Sequence, residues 1–169
     1  MTIKHIVFDW GDTLVRDLSF DGKMSEWSMV FIIPDIENAL NGLQKDFQLY
    51  VGSNAGDSGV GDIEAALKRI GLLKYFNKVF SSEDLGYEKP HKRFFESIRL
   101  QLQTKSEEIL MIGNSCKKDI EGAAKDGWFT IWFNENKQLD KTCEMADAVI
   151  YHMSQLVELV NEINEINDI

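Results

Sequence analysis

Short apolar runs alternate with helix-patterned stretches along almost the whole chain, and this alternation constrains the fold more than any other feature. Runs at residues 3–10, 47–51, 78–80, 109–112, 129–133 and 148–150 are each short enough for a buried strand. The spacing predicts helices over residues 34–40, 62–70, 91–102, 119–125 and 153–166, with Ile63, Ala66, Leu67 and Ile70 sharing one face and Phe94, Phe95, Ile98 and Leu102 another. Strands alternating with helices build βαβ units, hence an α/β doubly wound, mostly parallel sheet in three layers, with helices on both faces. Residues 15–33 break the pattern around Gly22 and suffice only for a short flap, on which Trp27, Met29 and Phe31 are placed; no separate cap domain is expected. No linker-like tract or internal repeat divides the chain, so residues 1–169 read as a single domain.

Such sheets bind ligands outside the carboxyl ends of their strands. The polar residues at those ends are Asp9 and Asp12 after the first strand, Ser53 and Asn54 after the second, Lys89 after the third, and Asn114 with Asp119 after the fourth. Together they offer a nucleophilic carboxylate, a hydroxyl, an ammonium group and further oxygen ligands. His5, His91 and His152 share no metal-ligand spacing and are read as structural or surface residues. Gly56, Gly59 and Gly61 follow the second strand without a dinucleotide fingerprint's context. Cys116 and Cys143 form no Cys-x-x-Cys motif and are expected to be reduced thiols.

A formal charge of −10 argues against nonspecific nucleic-acid binding, which depends on Lys and Arg neutralising phosphates, and against anionic membranes. No apolar stretch of about 18 residues would span a bilayer, and residues 1–10 lack signal-peptide features, so a cytoplasmic location is expected.

Four segments carry a family resemblance. Asp9-Trp10-Gly11-Asp12-Thr13-Leu14, Val51-Gly52-Ser53-Asn54, Gly86-Tyr87-Glu88-Lys89-Pro90, and Gly113-Asn114-Ser115 with Asp119-Ile120-Glu121-Gly122-Ala123 resemble, in order, the four motifs of the haloacid dehalogenase superfamily, most of whose members are phosphatases. The resemblance covers roughly residues 3–160 and implies a Rossmann-like core. It also implies a Mg²⁺-dependent hydrolase, most simply a phosphatase that forms an aspartyl phosphate on Asp9. On this reading Ser53, Asn54 and Lys89 bind the phosphate, and Asp9, the Gly11 carbonyl, Asn114 and Asp119 form the metal site. The partner implied is a phosphorylated substrate, either a small molecule or a macromolecule.

Three departures from the family pattern matter. Gly11 stands where the family's phosphatases place a second Asp as acid/base, a group worth about 10²–10⁴ in rate; either the loop bends so that Asp12, one position later, is the stand-in, or alkyl phosphate monoesters turn over slowly. Asn114 replaces a common Asp metal ligand, which lowers the expected Mg²⁺ affinity. The missing cap suits a macromolecular substrate or closure of the site by a neighbouring subunit; the apolar stripe of the final helix is expected first to pack on its own sheet, with a homo-oligomer contact as the alternative. Two alternatives stay open: a weakened Mg²⁺ and phosphate-binding or interaction module, and a dehalogenase or phosphonatase-type hydrolase.

Overall fold

Side chains along a strand point alternately to the two faces of its sheet, so a strand buried on both sides must be apolar throughout. In a computed structural model, which describes residues 2–18, 21–54, 56–137 and 142–167, β1 (His5–Phe8) follows this rule over its three buried residues, Ile6, Val7 and Phe8. Ile6 and Phe8 enter one hydrophobic cluster, and Val7 enters another on the opposite face. The other strands are β2 (Gln48–Ser53), β3 (Lys78–Ser81), β4 (Ile109–Gly113), β5 (Phe129–Phe133) and β6 (Ala148–Ile150). They form one sheet in the order β3-β2-β1-β4-β5-β6, with every neighbouring pair parallel.

The helices are α1 (Ile36–Leu43), α2 (Val60–Arg69), α3 (Ser82–Leu85), α4 (Lys92–Leu102), α5 (Glu121–Lys125) and α6 (Leu156–Asn167). Ile36 and Leu40 of α1, Ile63 and Leu67 of α2, and Leu156 and Val160 of α6 join the larger cluster. Phe94, Phe95 and Ile98 of α4 and Ala123 of α5 cover the other face. The result is the expected three-layer, Rossmann-like α/β architecture. Strand order reverses between β1 and β4, which opens a crevice at their carboxyl ends.

Several local expectations change. Pro34 was expected to open α1, but the helix starts at Ile36 after Asp35 adopts a left-handed backbone (φ 63°), a conformation Asp tolerates because its short polar side chain can bond locally. The stretch after β4 begins as a π-helical turn, Cys116–Ile120, before α5. That turn overturns the reduced-thiol reading: it brings Cys116 to a Cα–Cα distance of 5.7 Å from Cys143, and the two form a disulfide. Sequence spacing carries no sign of this approach, because the partners lie 27 residues apart on two different connections.

Val15 bridges Ile32 at the base of the flap, of which residues 19 and 20 lie outside the described residues. Met24 and Trp27 are buried against the core, whereas Met29 and Phe31 are exposed. The flap is tied to the α2 region, where the Ser58 hydroxyl accepts from the Met24 N–H (3.0 Å) and Asp62 accepts from Ser25 (2.8 Å). The apolar stripe of α6 packs on its own sheet through Leu156, Leu159, Val160 and Ile163, leaving Ile166 exposed. Among the described residues no helix is long and apolar enough to cross a membrane.

Candidate active site

Each strand that stops at the crevice delivers a loop to it, and the loops meet around one cavity of about 420 Å³. Asp9, Gly11, Asp12, Ser53, Asn54, Lys89, Asn114 and Asp119 all line it, although they come from four separate segments. Asp9 follows β1 directly, with its N–H donating to the Ile112 carbonyl of β4 (2.9 Å). Its position across the strand-order reversal is therefore set by the sheet itself.

Lys89 organises the centre. Its ammonium, almost wholly buried, donates to Asp9 Oδ1 (2.6 Å), Asp119 Oδ1 (2.8 Å) and the Gly52 carbonyl (2.8 Å). Three acceptors match the three donors of an ammonium group, which satisfies a charge that would be costly to bury alone. Burial works against the Lys89 charge, but Asp119 and Asp9 together hold its pKa above the ordinary lysine value. Asn54 fixes the loop that carries Lys89: its side-chain amide accepts from the Lys89 N–H and donates to the Lys89 carbonyl, both at 2.8 Å. Asn54 thus grips the lysine's backbone while lining the cavity. Ser53 ends β2, in register with Ser81, and is buried.

Asp119 is enclosed as well. Its Oδ2 accepts from the Ser115 N–H (3.0 Å), and its carboxylate presses so closely on Gly113 that a Cβ there would lie 2.3 Å from Oδ2. Only glycine leaves that space free. Burial, with Asp9 adding to it, pushes the Asp119 pKa up to about 6 against the pull of Lys89 and the Ser115 amide. Asn114 is anchored through its carbonyl, which accepts from Trp132 Nε1 (2.9 Å).

Among the described residues no three His, Cys, Asp or Glu side chains cluster to hold a metal. The expected ligands Asp9, Gly11, Asn114 and Asp119 all line the cavity, and Asp12, Asp17 and Asp57 add further carboxylates to its wall. An all-oxygen set with one or two carboxylates suits Mg²⁺, which keeps several of its waters. Two carboxylates against one ammonium also leave a net negative charge that a cation would offset. The residues present therefore fit the ion.

A family model of haloacid dehalogenase-like hydrolases matches residues 11–133. The chain belongs to that family. Haloacid dehalogenase-like relatives include the pyrimidine 5′-nucleotidase PynA of Streptococcus pneumoniae, 35% identical over 118 residues, which is 69% of this chain and 48% of that protein. The chain spans about half the length of the curated relatives it matches. Among solved structures, an uncharacterised protein from Listeria monocytogenes serotype 4b superposes with a TM-score of 0.84 at 22% identity, covering 96% of this chain and 99% of the other. The putative HAD-hydrolase YfnB of Bacillus subtilis, solved with magnesium bound, gives 0.79 at 18% identity, covering 95% and 100%. At these identities the superpositions establish the shared fold.

Some site features escaped the sequence reading. Thr13, whose hydroxyl donates to Asp9 Oδ2 (3.3 Å), lies inside the first motif but received no role. Asp17, Trp27, Ser58, Ser115 and Lys118 also line the cavity. Asp17 and Trp27 come from the irregular flap, where no periodicity marks one face. Of the histidines, His91 caps α4 by accepting from the Arg93 N–H and His5 approaches the Tyr50 hydroxyl, so both have structural contacts.

Proposed function

We propose that this chain is a Mg²⁺-dependent phosphatase that hydrolyses a phosphomonoester through an aspartyl phosphate on Asp9. The observation that carries the reading is the buried Lys89 ammonium, held between Asp9 and Asp119 at the open end of a parallel sheet. The lysine occupies one oxygen of Asp9, and among the described residues the other accepts the longer Thr13 hydrogen bond, so that oxygen is the one assigned to attack phosphorus. The Lys89 charge, its three donors engaged by Asp9, Asp119 and the Gly52 carbonyl, and a hydrogen bond from the Ser53 hydroxyl would then stabilise the equatorial oxygens of the transferring group. Mg²⁺, held by Asp9, Asp119, Asn114 and the Gly11 carbonyl, would supply charge neutralisation between the phosphate and the nucleophile. The magnesium in the YfnB structure and the nucleotidase relative support this direction.

The test is Mg²⁺-dependent phosphate release from p-nitrophenyl phosphate and a panel of metabolite phosphates, comparing the protein with Asp9→Asn. Turnover that needs both the ion and Asp9 is expected; turnover unaffected by Asp9→Asn would overturn the assignment.

A further inference from the structure

We propose that Asp17, on the flap, is the acid/base that Gly11 cannot be; the inference rests on the phosphatase reading and adds a catalytic residue to it. A phosphatase that forms an aspartyl phosphate needs a proton donor for the leaving oxygen and then an acceptor for the attacking water's proton. Position 11 has no side chain to do either. A Cβ built on Gly11 would find the Asp17 side chain as its three nearest neighbours, with Cβ at 3.3 Å, Oδ2 at 3.6 Å and Cγ at 3.7 Å. The space beside position 11 is therefore filled by a carboxyl group reaching in from six residues away. Asp17, Gly11 and Asp9 line the same cavity.

Asp12 has a different task. Its backbone is left-handed (φ 53°), its N–H donates to the Val15 carbonyl (2.6 Å), and its Oδ1 accepts from the Asp17 N–H (3.1 Å). A carboxylate oxygen so engaged supports the loop, which makes Asp12 a positioning residue for Asp17. The stem of the flap is braced further by Arg16, which makes a two-pronged ion pair with Glu135 and whose N–H donates to the Phe31 carbonyl (2.8 Å). Asp17 thus sits on a held segment, next to the position it serves.

The steps balance. As an Asp9 oxygen bonds to phosphorus and the bond from phosphorus to the leaving oxygen breaks, the Asp17 carboxyl passes its proton to that oxygen and an alcohol departs. Water then attacks phosphorus, one of its protons returns to Asp17, and the bond from Asp9 to phosphorus breaks, releasing phosphate and regenerating both carboxyls.

The experiment compares the wild type with Asp17→Asn, Asp17→Glu, Asp17→Ala and the double variant Gly11→Asp/Asp17→Ala on an alkyl phosphate and on p-nitrophenyl phosphate, whose leaving group needs little protonation. Asp17→Asn is expected to lose about 10²–10⁴ in kcat on the alkyl ester. On p-nitrophenyl phosphate it should show a burst of one p-nitrophenolate per enzyme followed by a slow phase, because hydrolysis of the phosphoenzyme has lost its base. Asp17→Glu should recover part of the alkyl-ester rate, and the double variant should recover more than Asp17→Ala alone, since it places a carboxylate in the space Asp17 vacates. Retention of the alkyl-ester rate by Asp17→Asn, or equal loss on both esters with no burst, would overturn the inference while leaving the phosphatase reading intact. No Asp9-dependent turnover in the wild type would overturn that reading and this inference with it.

Discussion

Gly113→Ala places a methyl group in the most crowded position of the site. The added Cβ would lie 2.3, 2.4 and 2.5 Å from Oδ2, Cγ and Cβ of Asp119, whereas ordinary contacts begin near 3.4 Å, so the Asp119 side chain must retreat by about 1 Å. Retreat cannot be local, because the contact reaches the root of a buried side chain tied to Lys89 at 2.8 Å and to the Ser115 N–H at 3.0 Å. Overpacking of this kind costs about 2 kcal/mol, or roughly 4–8 °C in Tm for a domain of this size. Displacing a site group by about 1 Å costs about 10² in turnover. The assay pairs thermal unfolding with Mg²⁺-dependent phosphate release, and Gly61→Ala is the control: a Cβ there meets nothing within 4 Å, so inside α2 it should leave Tm unchanged or raised. Wild-type Tm and turnover in Gly113→Ala, or equal losses in Gly61→Ala, would refute the reasoning.

Two further predictions concern stability. Asp119→Asn is expected to abolish Mg²⁺-dependent turnover and to flatten the pH dependence of stability in chelator, because the native Asp119 pKa, about 6, exceeds its ordinary 3.8. A carboxyl raised on folding adds stability below the lower value and loses it as pH rises to the upper one, so metal-free wild type should weaken between about pH 4 and 6 more than the variant does; identical profiles would contradict this. Reduction of the Cys116–Cys143 disulfide, or Cys116→Ser, removes a cross-link between residues 27 apart, worth about 3–4 kcal/mol by loop-closure entropy and roughly 7–14 °C in Tm. Melts with and without dithiothreitol check it, and coincident curves would contradict it.

How much the sequence disclosed depends on how local the signal was. Asp9 and Ser53 were legible because each stands at the end of an apolar run, and parallel strands must end on the same side of the sheet, whereas Lys89, beyond α3, and Asp119, inside the turn after β4, were legible mainly through the motifs they complete. The crevice between β1 and β4 was not legible, because the order of runs along the chain leaves the order of strands in the sheet open. Asp17 was not legible: the flap has no period, and its approach to Gly11 depends on the turn made by Asp12. The grip of Asn54 on the Lys89 backbone was hidden for a similar reason, since it joins residues 35 apart across two connections. The disulfide needed the π-helical turn after β4, which helical spacing does not distinguish from an ordinary first turn. Strands and their ends follow from chain pattern, whereas contacts between irregular segments follow from packing.

The most direct measurement is trapping of the covalent intermediate. Protein mixed with Mg²⁺ and p-nitrophenyl phosphate, quenched in acid and digested for mass spectrometry, should carry a phosphoryl group on Asp9, and Asp9→Asn should carry none. Mg²⁺-dependent turnover with no phosphoryl group at Asp9, or with the group on another residue, would contradict the account.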